Sequence, residues 1–204
     1  MKEKYHRAIT EEVLRPFFAP AALEEIIRAN VGQDALRYQF GHDHFHYDNS
    51  AFRAGDAYLA EQRRQVIETL QQTGPVSVAR AAFGRLTHSA QDFYAHSNYI
   101  TLWRERNPDA APEQIDPLLP EILADARLVS GRIYAPLEYF SFFSLFAPLV
   151  LPLLPRDSHA WMNKDDPSRP GFQEAYVAAR KRTRLELEEI RRVLSPAQWQ
   201  AWSK

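Results

Sequence analysis

The sequence predicts an all-α fold that forms a single-domain helical bundle over residues 1–204. The chain is long enough for one substantial hydrophobic core and short for two. It has 7 glycines and no dipeptide of the Asn-Gly type that turns β-hairpins. Its apolar residues recur at steps of three and four, the spacing of an amphipathic helix, and seldom alternate. These observations favour helix over sheet.

Helices are predicted along most of the chain, separated by prolines and by a Gly-Pro pair. The earlier ones cover residues 4–15, 21–30, 52–73, 77–99, 112–130 and 133–147. The segment from Phe172 to Leu194 shows the helical period most clearly, with arginines and glutamates between its apolar positions. Ser195 and Pro196 have the residue types of an N-cap and a first helical position, so they predict a short last helix.

Composition limits the kinds of site that the chain can build. Its 25 basic and 26 acidic side chains leave a net charge of −1, so no bulk field attracts it to nucleic acid or to an anionic membrane. The absence of cysteine excludes disulfides, thiolate nucleophiles and cysteine-based zinc sites. Histidines and carboxylates are therefore the side chains that a metal site would use.

Two segments bear on location. The charged residues from Met1 to His6 lack the apolar stretch of a secretory signal, so the chain as given is predicted to be cytoplasmic, with a secreted or effector form left open. Residues 139–155 carry no charge but contain three prolines, which would break a membrane-spanning helix. This segment is expected either to form core helix or to make peripheral contact with a membrane.

The most specific motif is the triplet His88, Asp92 and His96. Its members stand at i, i+4 and i+8, so they drift only about 80° around a helix and share one face. Imidazole and carboxylate groups suit zinc, and a central carboxylate can bridge two ions. The triplet predicts a metal site; the alternative is a buried polar seam in a helix bundle.

A second cluster precedes this triplet. The segment Gly41–Asn49 holds three histidines and two aspartates, and Asp34 lies just before it. Burying so many polar groups is unfavourable unless a cation lies among the carboxylates. Phe45 and Tyr47 indicate that the segment is packed, although a solvated loop is the alternative. His6 by itself indicates a surface position at least as well as a ligand.

A third cluster lies before the long C-terminal helix, in the segment Asp157–Pro167. It combines His159, Lys164 and Asp165 with further acidic residues. The alternatives to a ligand role are a capping loop and a surface ion pair that contributes little stability.

The order of these residues resembles the zinc-dependent phospholipase C family, whose fold is shared with single-strand zinc nucleases. The heterokaryon-incompatibility protein C (Het-C) branch is the most similar. The motifs that carry the resemblance are Asn30-x3-Asp34, His46-Tyr47-Asp48-Asn49, the run from Leu86 to Asn98, and His159-x3-Asn163-Lys164-Asp165. The resemblance implies a helical bundle of the zinc phospholipase C type.

The resemblance also implies a cluster of one to three zinc ions. One ion would be held by Asp34, His44 or His46, His88 and Asp92. Asp92 would bridge to a second ion that His6 shares, whereas His96 faces a separate ion. That third site would use His159 with Asp165 or Asp166, because the chain lacks the later His-x3-Glu pair of those enzymes.

The function implied is hydrolysis of a phosphodiester by a metal-bridged hydroxide, as in a phospholipase C. Asp34 or Asp48 would be the catalytic residue that orients the attacking water. A phospholipid or another phosphodiester is the expected substrate, with residues 139–155 at the membrane surface. Nucleic acid ranks lower because the chain has no basic groove with interleaved aromatics. The alternative is a non-catalytic, metal-stabilised module of Het-C type for membrane or protein interaction.

Overall fold

The computed structural model describes residues 1–38, 41–141, 143 and 145–204. Within these ranges the regular structure is helical, with two isolated β-bridges and no β-strand. The α-helices in chain order are α1 (Glu3–Leu14), α2 (Pro20–Val31), α3 (Asp43–His46), α4 (Phe52–Gln71), α5 (Val76–His96), α6 (Tyr99–Arg106), α7 (Pro120–Leu123), α8 (Leu137–Ser141), α9 (Ala147–Val150), α10 (His159–Met162), α11 (Phe172–Val193) and α12 (Pro196–Ser203). The all-α prediction is confirmed.

Helix α5 lies at the centre of the bundle and packs against α2, α4 and α11. Almost every side chain from Ala79 to His96 is buried, as expected for a helix surrounded by others. Gly84 permits the close approach of α2, since a Cβ atom at this position would clash with the carbonyl oxygen of Ile26. This packing brings the polar residues of α5 into the interior.

The predictions for the earlier long helices are confirmed to within a few residues. Residues 4–15, 21–30 and 52–73 correspond to α1, α2 and α4. The predicted helix 77–99 corresponds to α5 but ends at His96, because Ser97 adopts an extended conformation. The Ser97 hydroxyl accepts a hydrogen bond from the Tyr99 amide at 3.3 Å, and α6 starts there.

The two C-terminal helices also follow the prediction. The hydroxyl of Ser195 accepts from the amide of Gln198, and the side chain of Gln198 accepts from the amide of Ser195 at 2.8 Å. These reciprocal bonds form a capping box. Trp202 of α12 is fully buried against Phe18 and Phe83, so this helix closes one end of the core.

The predicted helix over residues 112–130 is wrong. Pro117 and Pro120 each lack the backbone donor that a helix interior needs. The segment contains instead a 3-10 turn at Pro112–Gln114 and the short helix α7.

The predicted helix over residues 133–147 is also wrong. Its described part contains α8 and the first residue of α9, and positions 142 and 144 lie outside the described residues. Pro136 stands inside the predicted range and cannot continue a helix that begins before it.

The charge-free segment 139–155 divides between a small core and an exposed surface. Val150 and Leu154 are buried together with Ala160. The large apolar side chains that the segment exposes are Phe140, Phe143, Leu145, Phe146, Leu149 and Leu153. In the described ranges no helix has both the length and the apolar character needed to cross a membrane. Contact with a membrane surface stays a prediction.

Candidate metal centre

The carboxylate of Asp92 lies at the middle of a cluster of histidines in the interior. Its Oδ1 atom is 3.1 Å from Nε2 of His6, and its Oδ2 atom is 3.0 Å from Nε2 of His88 and 2.9 Å from Nδ1 of His46. Helices α1, α3 and α5 therefore each direct an imidazole at one carboxylate. His6, His88 and Asp92 are fully buried.

Two groups of side chains have the spacing of metal ligands. The ligand atoms of His6, Asp34, His88 and Asp92 all lie within 4.8 Å of one another, and we call this set the inner group. Those of Asp48, His96 and His159 satisfy the same limit. Asp165 joins the second set through its Oδ1 atom, which is 3.3 Å from Nε2 of His96, so these four residues form the outer group.

The two groups adjoin each other at Asp92. Its Oδ1 atom lies 3.7 Å from Nε2 of His96, so one carboxylate faces both groups. The α-amino group of Met1 is at the same junction, 2.5 Å from Asp92 Oδ1 and 3.3 Å from Asp165 Oδ1. The Asp92 carboxylate therefore lies between the two groups and is paired with the Met1 ammonium group.

Hydrogen bonds at the Nδ1 atoms orient three of the rings. His6 Nδ1 is 2.6 Å from Oε1 of Gln91, and His96 Nδ1 is 2.9 Å from the carbonyl oxygen of His46. His159 Nδ1 is 2.7 Å from Oδ1 of Asp48. Because each partner is an acceptor, each Nδ1 atom must carry the proton and donate.

The orientation of the Gln91 amide follows from its other neighbours. Its Nε2 atom donates to the hydroxyls of Thr10 at 3.2 Å and Thr183 at 3.1 Å. The Thr183 hydroxyl donates in turn to the carbonyl oxygen of Ala179. Oε1 of Gln91 is therefore the atom that faces His6, and it can only accept.

The Nε2 atoms of these rings consequently point their lone pairs at carboxylates. His6 Nε2 faces Asp92, and His96 Nε2 faces both Asp92 and Asp165. A lone pair and a carboxylate oxygen repel each other at about 3 Å unless a metal ion or a second ring proton lies between them. Metal-binding histidines have this arrangement, with one nitrogen on the ion and the other donating to a fixed acceptor.

Unsatisfied polar atoms concentrate at the same place. Among the described residues, 9 buried side-chain atoms have no hydrogen-bond partner. Four of them belong to this cluster: His6 Nε2, His46 Nε2, His88 Nδ1 and Asp165 Oδ1. Buried polar atoms in proteins are seldom unpaired, and a bound ion would satisfy His6 Nε2 and Asp165 Oδ1, whereas His46 and His88 face Asp92 with their other ring nitrogens. The residues present therefore fit a metal ion.

Ionisation differs between the two groups. Burial lowers the pKa of His88 to about 4, and burial also lowers the pKa of His6. Although burial alone would raise it, the Met1 amine and the neighbouring imidazoles hold the pKa of Asp92 well below its usual range. The inner group therefore offers neutral imidazoles and an ionised carboxylate at neutral pH.

His159 in the outer group behaves differently. Burial opposes its protonation, but the adjacent Asp48 carboxylate outweighs that effect and raises the pKa of His159 to about 9. Without a metal ion, the His159 ring is protonated on both nitrogens at neutral pH, and its positive charge balances part of the carboxylate charge around it.

An unusual turn brings His46 and Asp48 to the same centre. Tyr47, Asn49 and Ser50 have φ values of 58°, 53° and 53°, in the left-handed region that residues other than glycine seldom adopt. Asn49 stabilises the turn, since its backbone N–H donates to the backbone carbonyl oxygen of Gly131 at 2.8 Å. Strained backbone of this kind is concentrated at functional sites.

The structure separates residues that the sequence left as alternatives. His46 joins the centre, whereas His44 packs among aromatic rings and meets that of Tyr58 edge-on, with the ring centroids 5.7 Å apart. Asp165 joins the centre, and Asp166 pairs with Lys2 instead. Every other predicted ligand lies in the inner or outer group. Sequence reasoning missed the role of Gln91, although it shares a helix face with His88.

A cleft of about 760 Å³ opens onto one side of the centre. Asp34, His46, His96, His159 and Asp165 line it, whereas His6, His88 and Asp92 do not. The other wall includes apolar side chains of the segment 139–155. Solvent therefore reaches the outer group more directly than the buried inner residues.

The model of the VWA7 N-terminal domain matches residues 3–114, more than half of the chain. The chain belongs to the VWA7 N-terminal domain family. The matched segment includes the whole inner group, together with His46, Asp48 and His96. His159 and Asp165 lie beyond it.

Three mammalian proteins named von Willebrand factor A domain-containing protein 7 are similar to this chain. The human protein is 29% identical over 105 residues, the mouse protein 30% over 108 and the rat protein 34% over 88. These alignments cover 48%, 49% and 43% of this chain, but only 12%, 12% and 10% of the relatives. No solved structure gives a significant match.

This family membership corrects the assignment made from the sequence. The resemblance to zinc phospholipases C, single-strand nucleases and the Het-C branch was wrong, because both the family model and the relatives point to VWA7. The motifs had matched a pattern of ligand types on a helix, which any helical metal centre requires.

The predicted hydrolysis of a phosphodiester rested on that resemblance and is wrong as well. Neither the family nor the named relatives support a hydrolase, a phospholipase C or another phosphodiesterase, and they do not support the Het-C-type interaction module either. The catalytic roles predicted for Asp34 and Asp48 therefore lose their basis. Their positions in the inner and outer groups stand independently of it.

Proposed function

We propose that this chain is a metal-binding domain that holds two divalent ions, with zinc as the metal that its donors fit best. Imidazole nitrogens and carboxylate oxygens without thiolates match zinc among the common biological metals. The observation that carries the proposal is the set of hydrogen bonds at Nδ1, which direct the Nε2 lone pairs of the rings at shared carboxylates.

The inner ion would be bound by His6, Asp34, His88 and Asp92, with His46 beside them. Support comes from burial: His6, His88 and Asp92 are completely enclosed, and His6 Nε2 has no hydrogen-bond partner within the described chain. The Met1 ammonium group supplies one positive charge beside Asp92, and a metal ion would add the charge that the carboxylates of both Asp34 and Asp92 need when buried among uncharged imidazoles.

The outer ion would be bound by His96, His159 and Asp165, and Asp92 would bridge it to the inner ion. Asp48 supports this site from outside, because its hydrogen bond to His159 Nδ1 leaves Nε2 as the coordinating atom. Nε2 of His159 lies 4.0 Å from Oδ2 of Asp165.

Bound zinc supplies concentrated positive charge and Lewis acidity. In this chain, that charge would join α1 and α5 to segments far away in the sequence. The residues themselves do the organising: Gln91 fixes the tautomer of His6, and Asp48 fixes that of His159. Metal binding would then contribute directly to folding stability.

The decisive experiment is elemental analysis of the untagged chain, purified without chelators from zinc-supplemented cells. We expect about two equivalents of zinc, as a two-site centre requires. His88→Ala should reduce the metal content, whereas the matched variant His44→Ala should keep it, because His44 lies outside both groups. Circular dichroism would verify that each variant is folded. Less than one equivalent in the folded wild-type protein would contradict the proposal.

A further inference from the structure

The two proposed ions differ in their access to the cleft, because Asp34 lines it but the other inner ligands, His6, His88 and Asp92, do not. His96, His159 and Asp165 line it, so the protein would ligate the outer ion on one side and leave its other side open to the cleft. Closed ligand sets are typical of structural metal ions, whereas sites that bind small molecules leave one side of the ion to the ligand. The outer ion has the second arrangement.

The charge around the centre limits what would bind there. Two dications would be balanced by the four aspartates of the inner and outer groups. Among the described residues of the cleft wall, the lysine and arginine side chains are already engaged: Lys2 pairs with Asp166, and Arg169 donates to the carbonyl oxygens of Ala160, Trp161 and Asn163. The Met1 ammonium group, which also lines the cleft and pairs with Asp92, would leave the centre with one net positive charge, and such a centre favours a singly charged ligand over a phosphate dianion.

The cleft also has an apolar wall. Tyr139, Phe143, Ala147 and Leu151 line one side, and Leu36 contributes from the other. Phe143 is 56% exposed and Leu36 is 65% exposed, so both offer apolar surface to a ligand. Ligand sites combine such walls with a few convergent polar groups.

We propose that the cleft binds a small carboxylic acid, whose carboxylate reaches the outer ion while its hydrocarbon part lies against Phe143 and Leu151. This inference rests on the proposed metal centre. The negative charge meets the ion, and the hydrocarbon part of the ligand removes apolar wall from water.

The test uses the full chain loaded with cobalt(II), whose visible spectrum reports changes in coordination. Acetate, butyrate and hexanoate would be titrated into it, with hexanol and inorganic phosphate as comparison ligands. We expect each carboxylate to change the spectrum, with hexanoate binding roughly tenfold or more tightly than acetate because of its additional buried methylenes. Hexanol should leave the spectrum unchanged, and phosphate should bind more weakly than hexanoate.

A pair of variants tests the apolar wall. Phe143→Ala should abolish most of the preference for hexanoate while keeping the cobalt content. Leu145→Ala is the matched control, because Leu145 is 77% exposed and does not line the cleft. It should bind hexanoate as the wild-type protein does.

The possible failures are distinguishable. A chain that binds no cobalt and no zinc would contradict the proposed function itself. A cobalt-loaded chain that responds to no carboxylate, binds acetate as tightly as hexanoate, or prefers phosphate would overturn only the carboxylate inference. Equal effects of the Phe143 and Leu145 substitutions would also overturn it.

Discussion

The inner and outer groups are held by different kinds of structure. His6 and the pair His88 and Asp92 project from the long helices α1 and α5, and all three are fully buried. In the outer group, Asp48 lies within a strained turn and Asp165 follows the short helix α10, with a side chain that is 24% exposed. The rigid, enclosed half is suited to a structural ion, and the half built on short segments is suited to ligand exchange.

The two groups also differ in how they tolerate loss of an ion. His159 keeps a proton between Asp48 and Asp165, since the pKa of His159 is raised to about 9. The pKa of His88 is lowered to about 4, so at neutral pH the Met1 ammonium group compensates Asp92 but no imidazolium at position 88 does, and Asp34 adds a second carboxylate to the inner group. We therefore expect the inner ion to contribute more to the stability of the fold than the outer ion does.

Stepwise removal of metal gives the largest expected effect. A weak chelator should take the outer ion first, with a small change in Tm, and a strong chelator should then take the inner ion. An ion present at about 1,000 times its Kd stabilises the folded state by about 4 kcal/mol. For a domain of this size, its loss corresponds to a fall in Tm of about 8–16 °C. Scanning calorimetry with parallel metal analysis would measure both steps.

The variant Asp165→Asn identifies which ion leaves first. It should start with about one equivalent of zinc and show only the second, larger fall in Tm. A full loss of stability in the first chelation step would contradict the comparison between the two groups, and so would removal of both ions without any change in Tm.

Two glycines allow each half to be perturbed from outside its ligands. A Cβ atom at Gly84 would clash with the Ile26 carbonyl oxygen, whereas one at Gly131 would meet the Cα atom of His159 at 2.5 Å. Gly84→Ala should destabilise the fold by about 1–3 kcal/mol through overpacking of α2 against α5 and should weaken the inner ion. Gly131→Ala should displace His159 and reduce mainly the zinc affinity of the outer site.

Urea unfolding and zinc competition assays on the metal-loaded proteins would measure these effects. The control is Gly32→Ala, because a Cβ atom at Gly32 would have no neighbour within 4 Å. Gly32→Ala should change neither the free energy of unfolding nor the zinc affinity appreciably. If Gly84→Ala and Gly131→Ala weakened the same ion, the two groups could not be treated as separate sites.

The sequence predicted the inner group better than the outer group, for a physical reason. His88 and Asp92 are one helical turn apart, so the helix period alone places them together. The long helices could be predicted because their apolar residues recur regularly, as in α11. Neither inference needs tertiary information.

The outer group depends on contacts between distant segments. Asp48 and His159 meet only because a left-handed turn and the Gly131 segment bring them together. Local spacing carries no signal for such a contact, and neither did it reveal that His44 would turn away. The wrong helices at 112–130 and 133–147 have a different cause, because their periodicity was read across prolines that interrupt the backbone hydrogen bonds.

Asp48→Asn is expected to have the smallest effect and tests the role of a side chain that supports a ligand. The asparagine side chain keeps the size of Asp48, but it lacks the charge that fixes the proton on His159 Nδ1. Loss of such a supporting carboxylate typically weakens metal binding about 10- to 100-fold. The zinc affinity of the outer site should fall by this factor, and that of the inner site should stay the same.

Competition with a fluorescent zinc chelator would resolve the two affinities of the Asp48→Asn variant. Asp43→Asn is the matched control from the same segment, because Asp43 bonds to the Asn49 side chain at 2.8 Å and belongs to neither group. Weakening of both ions by Asp48→Asn would mean that Asp48 is part of a single undivided centre. If the zinc affinity of the outer site did not change, the proposed coordination through His159 Nε2 would be contradicted. Loss of the Asp48 charge at Nδ1 should weaken a metal bond at Nε2 of the same ring.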